Sequence, residues 1–171
     1  NGAGKSTLLK VLNGDYQQTS GEYLVNGEPC HFNSPREAVA AGIGVIYQER
    51  QIMLELTVGE NIFLGRLPTG FMGRIKMREV HSRAQAIIDE FGLDMKSTDK
   101  VKDLSVAYQQ MVEIMKAYSR ENLKMIAFDE PTASLSDSEI DSLFRIIRKL
   151  KAEGKVIIYV SHRMAEIRQI A

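Results

Sequence analysis

The seven residues Asn1-Gly2-Ala3-Gly4-Lys5-Ser6-Thr7 have the chemistry of a phosphate cradle. Gly2 and Gly4 let successive backbone N–H groups turn toward one anion along a path that a Cβ would obstruct. Lys5 then places a cation near the β- and γ-phosphates of a nucleotide, and Ser6 offers a hydroxyl to Mg²⁺ at a helix start whose dipole favours negative charge. The run matches the end of the pattern GxxxxGK[ST], whose first glycine would lie two residues before Asn1. A glycine-rich turn that merely caps a helix is the plain alternative.

A second group stands about 120 residues further on. In Met125 to Pro131, four apolar residues precede Asp129 and Glu130, so two carboxylates emerge where a buried strand ends. In an open α/β sheet that edge is where ligands sit. Asp129 fits a Mg²⁺ ligand, direct or through water, and Glu130 a proton acceptor for an attacking water. Either could instead cap the next helix. His162 follows the apolar run Val156 to Val160 and Ser161, at the matching end of another strand, which favours a γ-phosphate contact over an ordinary structural histidine. Gln48, after Ile43 to Tyr47, reaches the same edge and could meet Mg²⁺ or the water. His31 and His81 have no such placement and read as structural.

These residues need a scaffold of alternating strands and helices, and the spacing supplies one. Ser6 to Asn13 has Leu8, Leu9 and Leu12 at helical spacing before Gly14. Glu22 to Val25 and Glu28 to Phe32 flank Asn26-Gly27, the pair suited to a tight hairpin. Ser34-Pro35 opens a helix through Ala41. Ile43 to Tyr47, Met125 to Phe128 and Val156 to Val160 read as buried strands. A helix with Ile140, Leu143, Phe144, Ile147 and Leu150 on one face joins the last two, so they should be parallel. Ser136 and Glu139 form a capping box at its start and Gly154 stops it. Residues 48–120 differ: Pro68, Gly70 and Gly73 mark turns, then Val80, Ala84, Ile87, Ile88 and Phe91, and later Ala107, Met111, Ile114, Met115 and Tyr118, recur at helical spacing. This is a helical insert in an α/β core with a parallel sheet and a small antiparallel hairpin.

Composition narrows the classes. The chain has 171 residues, 44% of them hydrophobic, enough for a packed core. Its 22 Lys+Arg and 22 Asp+Glu cancel, which removes the excess expected of a protein that wraps nucleic acid or binds anionic lipid unaided. Within 48–120 the 11 basic and 10 acidic residues make no basic stripe. No apolar run approaches the length of a membrane helix. The lone Cys30 excludes an internal disulfide or a cysteine-built zinc site, and a reducing compartment is the default.

Together, NGAGKST, Tyr47-Gln48-Glu49, Leu104 to Gln110 (LSVAYQQ), Phe128 to Asp137 (FDEPTASLSD) and Val160 to His162 resemble, in identity and order, the nucleotide-binding module of an ABC transporter. The resemblance covers essentially the whole chain. It implies a P-loop ABC ATPase fold, truncated at both termini, as a single partial domain over 1–171, with 1–47 and 121–171 as nucleotide-binding core and 48–120 as Q-loop and helical subdomain. It implies that Asn1 to Thr7 bind ATP, that Ser6, Gln48 and Asp129 serve Mg²⁺, and that Gln48 links the ATP site to a membrane subunit. It also implies that Glu130 is the general base, His162 the switch histidine, and Ser134, Leu135, Ser136 and Asp137 a D-loop. Leu104, Ser105, Val106, Ala107, Tyr108 and Gln109 correspond to the signature that meets ATP held by an opposite module. Val106, Ala107 and Tyr108 replace the usual two glycines and glutamine of that signature.

LSVAxQQMVEI, FDEPTASLSDSEI and SHRMAEI resemble the first ATPase half of two-module importers of ribose, galactose and similar monosaccharides. The implied partners are a second ATPase module, transmembrane permease subunits and, indirectly, a sugar-binding protein outside the membrane, with no nucleic acid. The implied place is the cytoplasmic face of the cell membrane, peripherally bound. A soluble ABC-type ATPase on nucleic acid or ribosomes would carry long coiled-coil or basic insertions, which 48–120 lacks. A regulatory half that holds ATP with little hydrolysis is the alternative from another class. A P-loop GTPase or kinase explains LSVAYQQ followed by FDEP least well.

Overall fold

The computed structural model describes residues 4–170. The chain forms two compact units, one of residues 1–48, 122–131 and 149–171, the other of 49–121 and 132–148.

The first unit is α/β. Helix α1 (Lys5–Leu12) starts one residue before the sequence places it and ends at Asn13. Gly14 then takes φ 74°, and a Cβ there would meet the Ser34 carbonyl oxygen at 2.7 Å, so glycine is needed for conformation and for space. Strands β1 (Leu24–Val25) and β2 (Glu28–Pro29) pair antiparallel around Asn26 and Gly27, at φ 54° and 83°, the left-handed pair of a tight hairpin. Both strands are shorter than the alternation predicts. Pro29 faces Leu24, and beyond that pair the Cys30 N–H still reaches the Tyr23 carbonyl at 2.7 Å. Helix α2 (Pro35–Ala40) begins at Ser34, whose side chain accepts the Glu37 N–H.

Strands β3 (Ile43–Ile46), β4 (Met125–Asp129) and β5 (Val156–Val160) make a parallel sheet with β4 in the middle. The register sets Ile46 beside Phe128 and Asp129 beside Val160. Leu9 and Leu12 of α1 bury against Ala127 and Val160, with Val45, Met125 and Ile158 around them. That contact fixes the start of α1 over the central strand. Helix α7 (Met164–Ile170) follows β5.

The second unit is helical. Its helix α3 (Val58–Ile62) begins with a full capping box between Thr57 and Glu60. It packs against α4 (Met77–Glu90) and α5 (Val106–Tyr118), burying Val58, Ile62, Val80, Ala84 and Ile88 completely. Both longer helices follow the predicted apolar spacing. Helix α6 (Asp137–Ala152) opens in this unit, and its last turn belongs to the first. At its start the Glu139 carboxylate accepts both the N–H and the hydroxyl of Ser136, at 2.9 and 2.8 Å. The short helices α3 and α7 go beyond the sequence expectation. The Thr57-x-x-Glu60 box was a usable signal for α3, whereas α7 has only seven residues and a weak pattern. Among the described residues no helix is long and apolar enough to cross a membrane.

Candidate functional site

In the first unit the parallel strands end at one edge, and α1 begins there as well. Asn1, Gly2 and Ala3 lie outside the described residues. Gly4 caps α1 in a left-handed conformation (φ 80°) without any side-chain cap. A Cβ at Gly4 would meet nothing, so its glycine is required by φ alone. The first-turn amides therefore keep their donor capacity at the positive end of an eight-residue helix. Lys5 is half-buried, while Ser6 and Thr7 are exposed.

The Ser6 hydroxyl and the Lys5 charge stand near enough to the Asp129 carboxylate to lower its pKa, which sets the helix start beside the end of the central strand. Burial, then the neighbouring Glu130 charge, pushes the Asp129 carboxyl above the usual range, while the Ser6 hydrogen bond and the Lys5 charge pull it down. A hydroxyl and one carboxylate side by side suit a small, hard cation that takes its remaining oxygens from water and phosphate. This donor set fits Mg²⁺ held together with a nucleotide.

Glu130 follows immediately with φ 47°, a left-handed conformation rare outside glycine. Its N–H donates to the Val160 carbonyl at 2.9 Å, so the strained residue is pinned to β5. Such strain concentrates at functional positions. The Glu130 carboxylate lies 3.2 Å from His162 Nδ1, with the Glu130 side chain 23% and the His162 side chain 65% exposed. The two residues that the sequence sets at neighbouring strand ends thus meet. Ser161 is tied down by its hydroxyl, which donates to Glu166 at 2.8 Å and accepts the Arg163 N–H at 3.0 Å.

Gln48 is exposed at the end of the β3 segment. Its predecessor is anchored, because the Tyr47 hydroxyl donates to Asp15 at 2.6 Å and Asn13 Nδ2 donates to the same oxygen at 2.8 Å. Burial and then Asp15 raise the Tyr47 pKa far above its ordinary value. This tether runs from the end of α1 to the residue before Gln48. Sequence reasoning missed it, since the partners are 32 positions apart and neither belongs to a motif.

The second unit carries the remaining candidates. Ser105 caps α5, accepting the Tyr108 N–H at 3.4 Å, and its hydroxyl donates to Glu139 at 3.5 Å. Glu139 therefore links Ser105 with Ser136. Val106 is exposed, Ala107 buried and Leu104 half-buried. Gln109 turns inward, its amide donating to the Val101 and Leu104 carbonyls at 3.2 and 3.1 Å. Ser134, Ser136 and Asp137 are exposed, with Leu135 half-buried between them.

Two buried polar groups organise the chain just after Gln48. The Gln51 N–H donates to Glu113 at 2.9 Å and the Gln51 carbonyl accepts Lys116 Nζ at 3.1 Å, so α5 grips both backbone groups of one residue. Glu113 is only 5% exposed, and one of its oxygens has no hydrogen-bond partner among the described residues. Burial raises its pKa against the Gln51 hydrogen bond and the Lys116 and Arg50 charges. Asn61, fully buried, exchanges hydrogen bonds with the Met53 N–H and carbonyl at 2.8 and 2.9 Å and donates to the Thr57 carbonyl at 3.0 Å. Only the Asn61 amide type hinted at this from sequence. His81 rests against the Ser97 carbonyl at 3.1 Å, a structural placement.

The sequence profile described as ABC transporter matches residues 1–133. The arabinose import ATP-binding protein AraG of Yersinia pestis is 51% identical over 98% of this chain and 32% of its own length. The ribose import ATP-binding protein RbsA 2 of Escherichia coli O157:H7 is 49% identical over 100% of this chain and 33% of its own. The chain thus spans about a third of the length of these curated relatives. Among solved structures, the ADP conformation of an ATP-binding cassette of an ABC transporter superposes with a TM-score of 0.81 at 26% identity, covering 99% of this chain and 70% of that one.

Proposed function

The chain belongs to the ABC transporter family, and from that premise we propose that it is part of an ATP-hydrolysing subunit that powers uptake of a monosaccharide. The observation that carries the reading is the junction of Ser6 with Asp129 beside Lys5, continued by the Glu130–His162 pair at the same sheet edge. Phosphate chemistry needs a cradle, a cation, a metal foothold and a base close together. The first unit offers a candidate for each.

Asn1 to Thr7 wrap the phosphates of ATP with backbone donors, and Lys5 lies against their terminal charge. Ser6 and Asp129 hold Mg²⁺, with Gln48 as a further ligand from the end of the β3 segment. A Mg²⁺ ion held by these residues would supply positive charge to offset that of the β- and γ-phosphates. Glu130 takes the proton of the attacking water. Its N–H bond to Val160 and its left-handed backbone fix where the carboxylate points. His162 steadies that carboxylate through Nδ1 and turns its other face to the γ-phosphate.

The signature residues Leu104 to Gln109 offer the N-terminus of α5 to ATP held by a second ATPase module, and Ser134 to Asp137 form the D-loop facing the same partner. Residues 48–120, with Gln48 at their head, transmit the change to transmembrane permease subunits at the cytoplasmic face of the membrane. A sugar-binding protein would feed those subunits. Monosaccharide import is supported by the arabinose- and ribose-import names of relatives near 50% identity.

The test places Glu130→Gln in the complete protein. ATP turnover should fall about 10²- to 10⁴-fold while ATP binding persists. Turnover at the original rate would remove Glu130 from the role of base. Uptake of labelled arabinose and ribose by cells carrying the complete transporter separates the sugar assignment from the ATPase assignment.

A further inference from the structure

Eight consecutive residues, Phe71 to Arg78, are all exposed. Four are large and apolar: Phe71 is 88% exposed, Met72 83%, Ile75 47% and Met77 36%. Arg74, Lys76 and Arg78 alternate with them. From Gly70 to Arg78 the sequence contains no acid and no uncharged polar side chain.

The segment is a built tongue. The Gly70 N–H donates to the Arg74 carbonyl at 2.8 Å and the Lys76 N–H to the Pro68 carbonyl at 2.9 Å, with Thr69 and Ile75 paired antiparallel. At the tip Met72 takes φ 57° and Gly73 φ 73°. A left-handed backbone is costly for a residue with a long side chain. It is spent here on turning Phe71 and Met72 outward, where they find no protein surface to cover them. The nearest acid in sequence is Glu79, 3.5 Å from Lys76 and 3.7 Å from Arg83. It offsets part of the charge behind the tip.

Apolar tips ringed by long cationic side chains match the boundary between acyl chains and anionic headgroups. Lys and Arg can lay their stems along the apolar zone while their charges meet phosphate. The core of a protein interface is depleted of lysine and of charge in general, whereas the tongue sets three cations among its four apolar residues. The neutral charge of the whole chain conceals this patch, because its acids lie elsewhere in the sequence. We infer that the Phe71–Arg78 tongue is a shallow anchor on an anionic bilayer surface, with Phe71 and Met72 entering the headgroup zone and Arg74, Lys76 and Arg78 engaging lipid phosphates. This goes beyond the transport reading and stands without it.

The experiment is co-sedimentation of the complete protein with vesicles of phosphatidylcholine alone or mixed with phosphatidylglycerol. Binding should require the anionic lipid and weaken as salt rises. Phe71→Ser with Met72→Ser should lower the partition coefficient by about tenfold or more. Arg74→Gln and Arg78→Gln should each lower it by about fivefold. ATP binding, measured in parallel, should stay unchanged in every variant, which keeps the outcome apart from the nucleotide assignment. Equal binding to both vesicle types, no binding to either, or binding untouched by both sets of substitutions would overturn the anchor. Loss of association with permease subunits in detergent, with vesicle binding unchanged, would assign the tongue to a protein partner instead.

Discussion

The two units use polar residues in opposite ways. In the sheet unit Ser6 lies beside Asp129 and Glu130 pairs with His162 at a strand edge, and these groups remain partly open to solvent. In the helical unit Asn61, Glu113 and Gln109 are buried and spend their hydrogen bonds on backbone groups of loops. The difference is one of environment. Groups at strand ends converge because parallel strands finish together, and water or ligand completes their bonding. Groups inside a helical bundle have no such outlet, so each must find its partner within the chain. Polar residues of the first unit should therefore govern turnover, and those of the second should govern stability.

The largest test of that contrast is Glu130→Gln. Its loss of turnover corresponds to about 3–5 kcal/mol of activation free energy, yet its urea midpoint should stay essentially unchanged, since a half-open side chain is being exchanged for an isostere. A marked shift in midpoint would break the comparison. Next comes Asn61→Ala in the helical unit. Removing three hydrogen bonds around Met53 and Thr57 and leaving those backbone groups unpaired should cost about 3 kcal/mol of unfolding free energy, measured by urea denaturation.

Tyr47→Phe probes the exception, a structural hydrogen bond inside the sheet unit. Losing the bond to the Asp15 carboxylate should destabilise by about 1.5–2 kcal/mol. Freeing the residue before Gln48 should also lower turnover by several-fold, about the effect of a loosened metal ligand on positioning. Unchanged turnover would confine Tyr47 to stability and sharpen the contrast to individual residues.

The smallest expected effect is from Glu113→Gln. Burial raises the Glu113 pKa in the folded state, so the folded protein holds this proton more tightly than the unfolded chain does. The resulting stability is fully present below the ordinary glutamate range and is lost as pH rises through the raised value. Glutamine still accepts from the Gln51 N–H and carries no buried charge. At neutral pH it should raise Tm by about 2–4 °C, the shift that about 1 kcal/mol produces in a chain of this size. The advantage should vanish in acid. A scan of Tm against pH for both proteins checks the sign.

Much of this was legible beforehand. Asn26-Gly27, the Ser34-Pro35 start, the three strand runs and the helices of 77–90 and 106–118 each rest on local chemistry within a few residues. The strands flanking the hairpin came out shorter than the alternation suggests, although the Cys30 N–H to Tyr23 carbonyl bond continues the pairing by one step. The edge placement of Asp129, Glu130 and His162 followed from strands of similar length feeding one sheet. The pairing of Glu130 with His162 did not, since it depends on β5 lying next to β4 in a register that also pins Glu130 by its N–H. Tyr47 with Asp15, and Gln51 with Glu113 and Lys116, were equally hidden. Each joins ordinary residue types across tens of positions.

By itself, the sequence determined the chemical inventory, the α/β alternation and the residues that could meet a nucleotide, because glycine conformation, apolar period and capping act over a few residues. Only the tertiary structure decided that β4 is the central strand, that Ser6 comes beside Asp129, and that Phe71 and Met72 stay largely exposed. Those facts depend on which distant segments share a core. That is settled by packing apolar faces against each other across the whole fold, over a range that no local pattern spans.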